Sequence, residues 1–305
     1  MLQSYHSEKS RTYSTGADNY YQKFKELPKP LIIHENLSRL VSEETRAGAD
    51  DERTNKILII GDVHGCLDEL KSLVTKASND HNEGKQFAAT ILVGDLVNKG
   101  PYSLQVVKFV KEQPYWYSIR GNHDNAALEA ALGDSDRLSR EQYSWVGELS
   151  DEDVELMANL PYTIRIPKDD FLPTLSEDVL IVHAGLLPNV RLDEQNIKTM
   201  VTVRDLALIS GNDANGDPLS SAQYEYYNPS DRDKNPISWA KAWAGPELLV
   251  SGHDAKRRIQ FETYAIGLDA GCVYGGRLTG IVLPEKELVS VDAAKVYCPI
   301  KDKNE

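Results

Sequence analysis

Residues 56–66, KILIIGDVHGC, begin as an apolar run and break off into an Asp, a His and two glycines. Ile57, Leu58, Ile59 and Ile60 are four consecutive large aliphatic residues, the pattern of a strand covered on both faces. Asp62 and His64 follow that strand directly. In open α/β sheets, ligands bind just outside the carboxyl ends of strands. One D-x-H alone reads first as a polar turn, so the weight falls on whether the pattern recurs.

It recurs four times. TILVGDLVNKGP ends an apolar run in Gly94-Asp95, and WYSIRGNHD ends one in Gly121-Asn122-His123-Asp124. VLIVHAG delivers His183 and LLVSGHDA delivers His253. Four of the seven histidines lie in these five motifs, too concentrated for scattered surface imidazoles. Imidazole, carboxylate and amide oxygen suit borderline to hard divalent ions such as Zn²⁺, Mn²⁺ or Fe²⁺. Two such ions about 3.5–4 Å apart can clamp a phosphoryl group, and a shared carboxylate is needed to hold them so close.

Between the motifs the chain alternates strand and helix. The helical face of Leu67, Leu70, Leu73, Val74 and Ala77 follows the first strand, SLQVVKFVKEQ follows the second, and NAALEAALG the third. Such alternation predicts an α/β fold with a largely parallel sheet. SDEDVELMANLP reads as a helix capped by Ser150. The end, residues 264–293, reads as antiparallel strands, and the polar stretch at roughly 208–236 as a long loop. The expected layout is a polar N-terminal segment and linker over 1–55, one domain over 56–295, and a C-terminal tail over 296–305.

A net charge of −13 argues against extended nucleic-acid binding or a basic membrane-binding surface. It leaves room for a phosphorylated anionic substrate, because metal ions reverse the potential of a cleft. Three scattered cysteines, Cys66, Cys272 and Cys298, form neither a disulfide framework nor a C-x-x-C zinc pair. No run of about 18 apolar residues offers a membrane span, and the polar start lacks a signal-peptide core. The expectation is a soluble, cytoplasmic protein.

The ordered set G-D-V-H-G, G-D-L-V-N-K-G, R-G-N-H-D, H-A-G and G-H-D-A resembles the calcineurin-like metallophosphoesterases, within the phosphoprotein-phosphatase superfamily. The resemblance covers roughly residues 56–290. It implies a metallophosphatase sandwich of two mixed β-sheets flanked by helices, and two divalent ions (Mn, Zn, Fe or Mg). By position, Asp62 and His64 would bind the first ion, Asp95 would bridge, and Asn122, His183 and His253 would bind the second. His123 would be the general acid protonating the leaving oxygen, with Asp124 orienting its ring.

Nuclease-type relatives carry a further His where this chain has Ala255. Protein Ser/Thr phosphatases have an Asp and an Arg where it has Asn98 and Lys99, so a point charge replaces the guanidinium fork. GDLVNKGP, GHDAKR and GLDAGCVYGGRLT are similar to diadenosine tetraphosphatases and their ApaH-like relatives, some of them endopolyphosphatases. The resemblance thus implies hydrolysis of phosphoanhydride or phosphoester bonds by a metal-bridging hydroxide. Polyphosphate or a dinucleoside polyphosphate is the expected substrate. A Ser/Thr protein phosphatase and an inactive scaffold of the same fold are the alternatives, and action on RNA 5′ ends is a further one. Lys99, Arg120, Lys241 and Arg257 are the candidate substrate-binding cations. Trp239 and Trp243, four apart, are expected to pack rather than stack on a base.

Overall fold

The computed structural model describes residues 33–41, 55–212, 218–228 and 234–299. Its centre is a pair of packed sheets. The five-stranded sheet contains β2 (Ile57–Ile60), β3 (Ala89–Leu92), β4 (Trp116–Ser118), β13 (Arg277–Leu283) and β14 (Glu287–Asp292), in the order β14-β13-β2-β3-β4. β2, β3 and β4 run parallel, and β13 pairs antiparallel with both β2 and β14.

The six-stranded sheet contains β1 (His34–Asn36), β5 (Thr163–Ile166), β6 (Val179–Val182), β10 (Leu248–Ser251), β11 (Gln260–Glu262) and β12 (Ala265–Gly267), ordered β1-β5-β6-β10-β12-β11. Both large sheets are mixed, as the resemblance implies.

The apolar run of β2 shows why four aliphatic residues follow one another. Ile57 and Ile59 point into the core between the sheets, where they join Ile91, Ile164, Ile181, Val250 and Ile266. Leu58 and Ile60 point the other way, into a second core covered by helices. Side chains alternate across a strand, so a strand buried on both faces has no polar position to offer until it ends. The helix Leu67–His81 covers that outer face with Leu67, Leu70, Leu73 and Ala77, and Val74 packs at its edge. The helices Ser103–Glu112, Asn122–Ala131 and Asp151–Asn159 add Val106, Val107, Ala127, Leu128, Val154 and Met157 to the same core. The Ser150 hydroxyl accepts from the Asp153 amide, so the expected cap is present.

Three segments depart from the sequence expectations. The polar stretch read as a loop contains a hairpin: β7 (Asp205–Asn212) pairs antiparallel with β8 (Pro218–Tyr226) and β9 (Pro236–Ser238). Residues 213–217 and 229–233 of that stretch lie outside the described residues. Among its described side chains Leu206, Ala207, Ala222 and Tyr224 are buried, two of them small, and the period-2 signal is diluted in the sequence by Ser, Asn and Gln. The C-terminal strands are antiparallel as expected except on one side of β12, which pairs antiparallel with β11 but parallel with β10. β1 lies within the segment read as linker, pairs parallel with β5, and is followed by the buried Leu37 and Val41. Residues 1–32, at the polar start, are outside the described range.

The segment after β14 packs back on the molecule. The amide of Ala294 and the hydroxyl of Tyr297 both donate to Glu69 Oε1, at 2.9 and 2.7 Å. The Tyr297 and Cys298 amides donate to the Val273 carbonyl. Beneath this segment, Cys66 and Cys272 are 1% and 2% exposed, and their thiols lie within 4.8 Å of each other and of a Glu69 carboxylate oxygen. Trp239 and Trp243 are buried in a third core, over the outer face of the six-stranded sheet, as packing residues.

Candidate metal centre

The carboxyl ends of β2, β3 and β4 in one sheet and of β6 and β10 in the other open onto the same place. Asp62, His64, Asp95, His183 and His253 are buried there, with Asn122 half-buried among them. His64 Nε2 lies 3.5 Å from Asp95 Oδ2 and 4.0 Å from Asp62 Oδ2. The other Asp95 oxygen, Oδ1, lies 3.4 Å from His183 Nε2. Asn122 Oδ1 is 3.1 Å from His183 Nε2 and 3.0 Å from His253 Nδ1. All six donors expected from the sequence therefore converge, and Asp95 faces both halves with one oxygen each.

Backbone geometry makes the convergence possible. His64, Asp95 and His253 have φ values of 46°, 51° and 68°, and Asn98 and Lys99 values of 70° and 68°. Left-handed backbone at non-glycine residues is disfavoured and concentrates at functional sites. A Cβ at Gly252 would come within 1.8 Å of Asp62 Oδ1, and one at Gly121 within 2.2 Å of Asp95 Oδ1, so only glycine lets these carboxylates lie against the neighbouring loops. The loops are also bonded to each other, with His64 N donating to the Asp95 carbonyl and Gly252 N to the His183 carbonyl, both at 2.8 Å.

The second ring nitrogens are fixed from outside. His64 Nδ1 faces the Val97 carbonyl at 3.1 Å, His183 Nδ1 the Val93 carbonyl at 2.8 Å, and His253 Nε2 the Thr202 carbonyl at 3.2 Å. Each carbonyl calls for an N–H, which turns the lone pair of the other nitrogen inward, as metal-ligating histidines require. Burial holds His64 and His253 below the ordinary imidazole pKa, with Lys99 assisting at His64 and the charges of His183 and Arg204 at His253. Burial opposes a proton on His183 too, but the Asp95 charge and hydrogen bond outweigh it and raise this pKa to about 9. Asp62 is pushed well above the carboxylate range by burial and by the nearby Asp269 charge.

Lone pairs and carboxylates aimed at one another are costly without positive charge between them. Here Lys99 Nζ sits 2.9 Å from His64 Nε2, on the lone pair a cation would take. The donor set thus fits divalent ions. The family's metal would be held by Asp62, His64 and Asp95 on one side and by Asp95, Asn122, His183 and His253 on the other.

Around the donors the expectations divide. His123 is close: its ring makes an edge contact with His64 at 4.8 Å between centroids, and its buried Nδ1 has no hydrogen-bond partner. Burial, aided by Lys99 and His183 and opposed by Asp95, lowers its pKa to about 4. Asp124 does not orient this ring. Its carboxylate accepts from the amides of Asp95, Leu96 and Gly121 at 2.8, 3.0 and 2.8 Å, because it points back into the loops from the first turn of its helix. Asn98 holds the other end of the His123 backbone from Asp95, donating to its carbonyl at 3.0 Å and accepting from Trp145 Nε1 at 3.2 Å.

Of the four cations expected to bind substrate, only Lys99 is at the centre. Arg120 is fully buried, lies over the Tyr162 ring and donates to the Ala158 carbonyl, so it braces the fold. Arg257 is engaged by Asp254 and Asp205 at 2.5 and 2.7 Å, which neutralises it. Among the described residues, no hydrogen bond or ion pair ties the exposed Lys241 to the donors.

Two residues at the site were not anticipated. Arg204 donates to the His253 carbonyl at 3.1 Å, stands 3.5 Å from an Asp254 oxygen, and keeps its side chain about half exposed, so that unlike Arg257 it can still reach an anion. Asp269 is buried beside Asp62 just past β12. GLDAG repeats the strand-then-Asp pattern and was available as a signal for Asp269, whereas Arg204 follows a short helix and has none.

The family profile described as calcineurin-like phosphoesterase matches residues 55–279. The chain belongs to that family. It is 30% identical over 266 residues to a bis(5′-nucleosyl)-tetraphosphatase PrpE (asymmetrical) of Halalkalibacterium halodurans, covering 81% of this chain and 97% of that one. A protein of the same name from Oceanobacillus iheyensis is 31% identical over 269 residues, 79% of this chain and 94% of the relative. Among solved structures, a candidate diadenosine tetraphosphatase superposes with a TM-score of 0.60 at 32% identity, over 78% of this chain and 93% of that one. The chain is thus a metal-dependent hydrolase of phosphoester or phosphoanhydride bonds, of the ApaH-like branch. No helix among the described residues is long and apolar enough to cross a membrane.

Proposed function

We propose that this enzyme holds two divalent ions and hydrolyses the phosphoanhydride bonds of dinucleoside polyphosphates. The observation that carries the two-ion reading is Asp95, whose oxygens lie 3.5 Å from His64 and 3.4 Å from His183 on opposite sides. When bound, divalent ions supply positive charge against the phosphoryl oxygens and acidify water for attack. Lys99 and Arg204 then orient the phosphates, each as a cation standing beside a donor histidine. His123 protonates the departing oxygen, the phosphate charge beside its ring supplying the stabilisation of the imidazolium that the free site, which lowers its pKa to about 4, withholds.

The names of the relatives favour a dinucleotide, and Lys99 in place of a guanidinium fork favours a chain of phosphates over one terminal phosphate. The test is metal analysis together with turnover of diadenosine tetraphosphate, long-chain polyphosphate and a phosphopeptide under Mn²⁺, Zn²⁺, Fe²⁺ and Mg²⁺. Two ions per chain, both lost in Asp95→Asn, and preferential cleavage of the dinucleotide are expected. One ion per chain, or turnover of the phosphopeptide alone, would overturn the reading.

A further inference from the structure

Next to the donors lies an open cleft of about 310 Å³, lined by Lys99, Gly100, Pro101, Lys295, Val296 and Tyr297. Two segments remote in sequence meet there, the loop after β3 and the segment after β14. The second is fixed by the bonds of Ala294 and Tyr297 to Glu69 and by a bridge between Val296 and Tyr274. Lys295 is exposed, with its ammonium 5.5 Å from the centre of the Tyr297 ring. Lys99 is shared: its ammonium reaches His64 at 2.9 Å and stands 5.2 Å over the Tyr274 ring. Among the described residues neither lysine forms a salt bridge, although the chain carries a net charge of −13. Two cations without carboxylate partners therefore line one cleft, and one of them also touches the metal centre.

We propose that this cleft is the subsite for the phosphates beyond the one attacked, so that Lys99 and Lys295 hold the departing end of a linear anhydride. The proposal rests on the anhydride-hydrolase reading above. Ligand pockets commonly span about 300–1,000 Å³, so this cleft suits a short run of phosphates and leaves the terminal nucleoside in solvent. Charge and not a base-specific pocket is what recognises the ligand here. The class bound is accordingly the oligophosphate chain, with or without a nucleoside attached.

The experiment is calorimetric titration of the metal-loaded protein with methylene-bridged triphosphate and with orthophosphate. Lys295→Ala should weaken the triphosphate by about tenfold and orthophosphate by less than about twofold, the scale of one charge-assisted contact. Lys295→Arg should restore most of the difference, and Lys295→Glu should deepen it. Equal changes for the two ligands, or triphosphate binding unchanged in Lys295→Ala and Lys295→Glu, would overturn the subsite. Diadenosine tetraphosphate turnover by the wild type is scored separately. Its absence would fail the anhydride reading, while the binding ratio still decides whether the cleft holds a phosphate chain.

Discussion

At the scale of single residues, His123 is the group whose role the geometry constrains most. Its backbone is held at both ends, the amide donating to Asp95 Oδ1 at 2.8 Å and the carbonyl accepting from Asn98, while the Nδ1 side of the ring has no partner. A residue anchored by its backbone can lose its ring without dislodging the donors. His123→Asn is therefore expected to keep its metal content and to lose roughly 10²–10⁴-fold in rate on substrates with poor leaving groups. The loss should shrink on p-nitrophenyl phosphate, whose leaving oxygen needs little help. Collapse of the metal content instead would make His123 a ligand. The convergence of the six candidate side chains was legible because each follows a strand, most of them buried on both faces, so a polar residue there has no packing reason to exist. Arg120 misled for the complementary reason: it also follows a strand, but its side chain turns inward onto Tyr162, and residue type alone does not reveal that direction.

Among the elements, the helix Asn122–Ala131 does more than cover a sheet. Through Asp124 it ties its own first turn to the loop after β3, with one carboxylate satisfying three buried amides. Burial raises the Asp124 pKa to about 6, aided by Asp95 and opposed by the hydrogen bonds from Gly121 and Leu96. Each buried donor left unpaired costs about 1–3 kcal/mol. Asp124→Ala should then destabilise the fold by roughly 3 kcal/mol or more and loosen metal binding, because Asp95 sits on the loop that is released. Urea denaturation and metal retention after dialysis measure both effects, and an unchanged midpoint would refute the brace. The helices and parallel strands were readable from strong periodicity over long runs. The β7–β8 hairpin was not, because its sequence carries Ser, Asn and Gln through most of its length and two of its described buried positions are alanines.

For the whole molecule, the candidate metal centre depends on two sheets meeting at one edge. Asp62, His64, Asp95 and Asn122 come from the five-stranded sheet, His183 and His253 from the six-stranded one, and the shared core of Ile57, Ile59, Ile181 and Val250 sets their separation. The segment after β14, which also borders the donors through its cleft with Lys99, packs over Cys66 and Cys272, and Cys298 lies at its margin. That arrangement gives the protein a built-in chemical clock. A thiol reagent reaches a sealed sulfur only in the fraction of time its cover is lifted, so its rate is the sulfur's own reactivity scaled down by that fraction and reports local opening. An aromatic disulfide reagent should consume one sulfhydryl quickly, from Cys298, and two slowly. Tyr297→Phe, which removes a latch to Glu69, should quicken the slow pair. Three fast equivalents in the wild type would mean that the seal is habitually ajar.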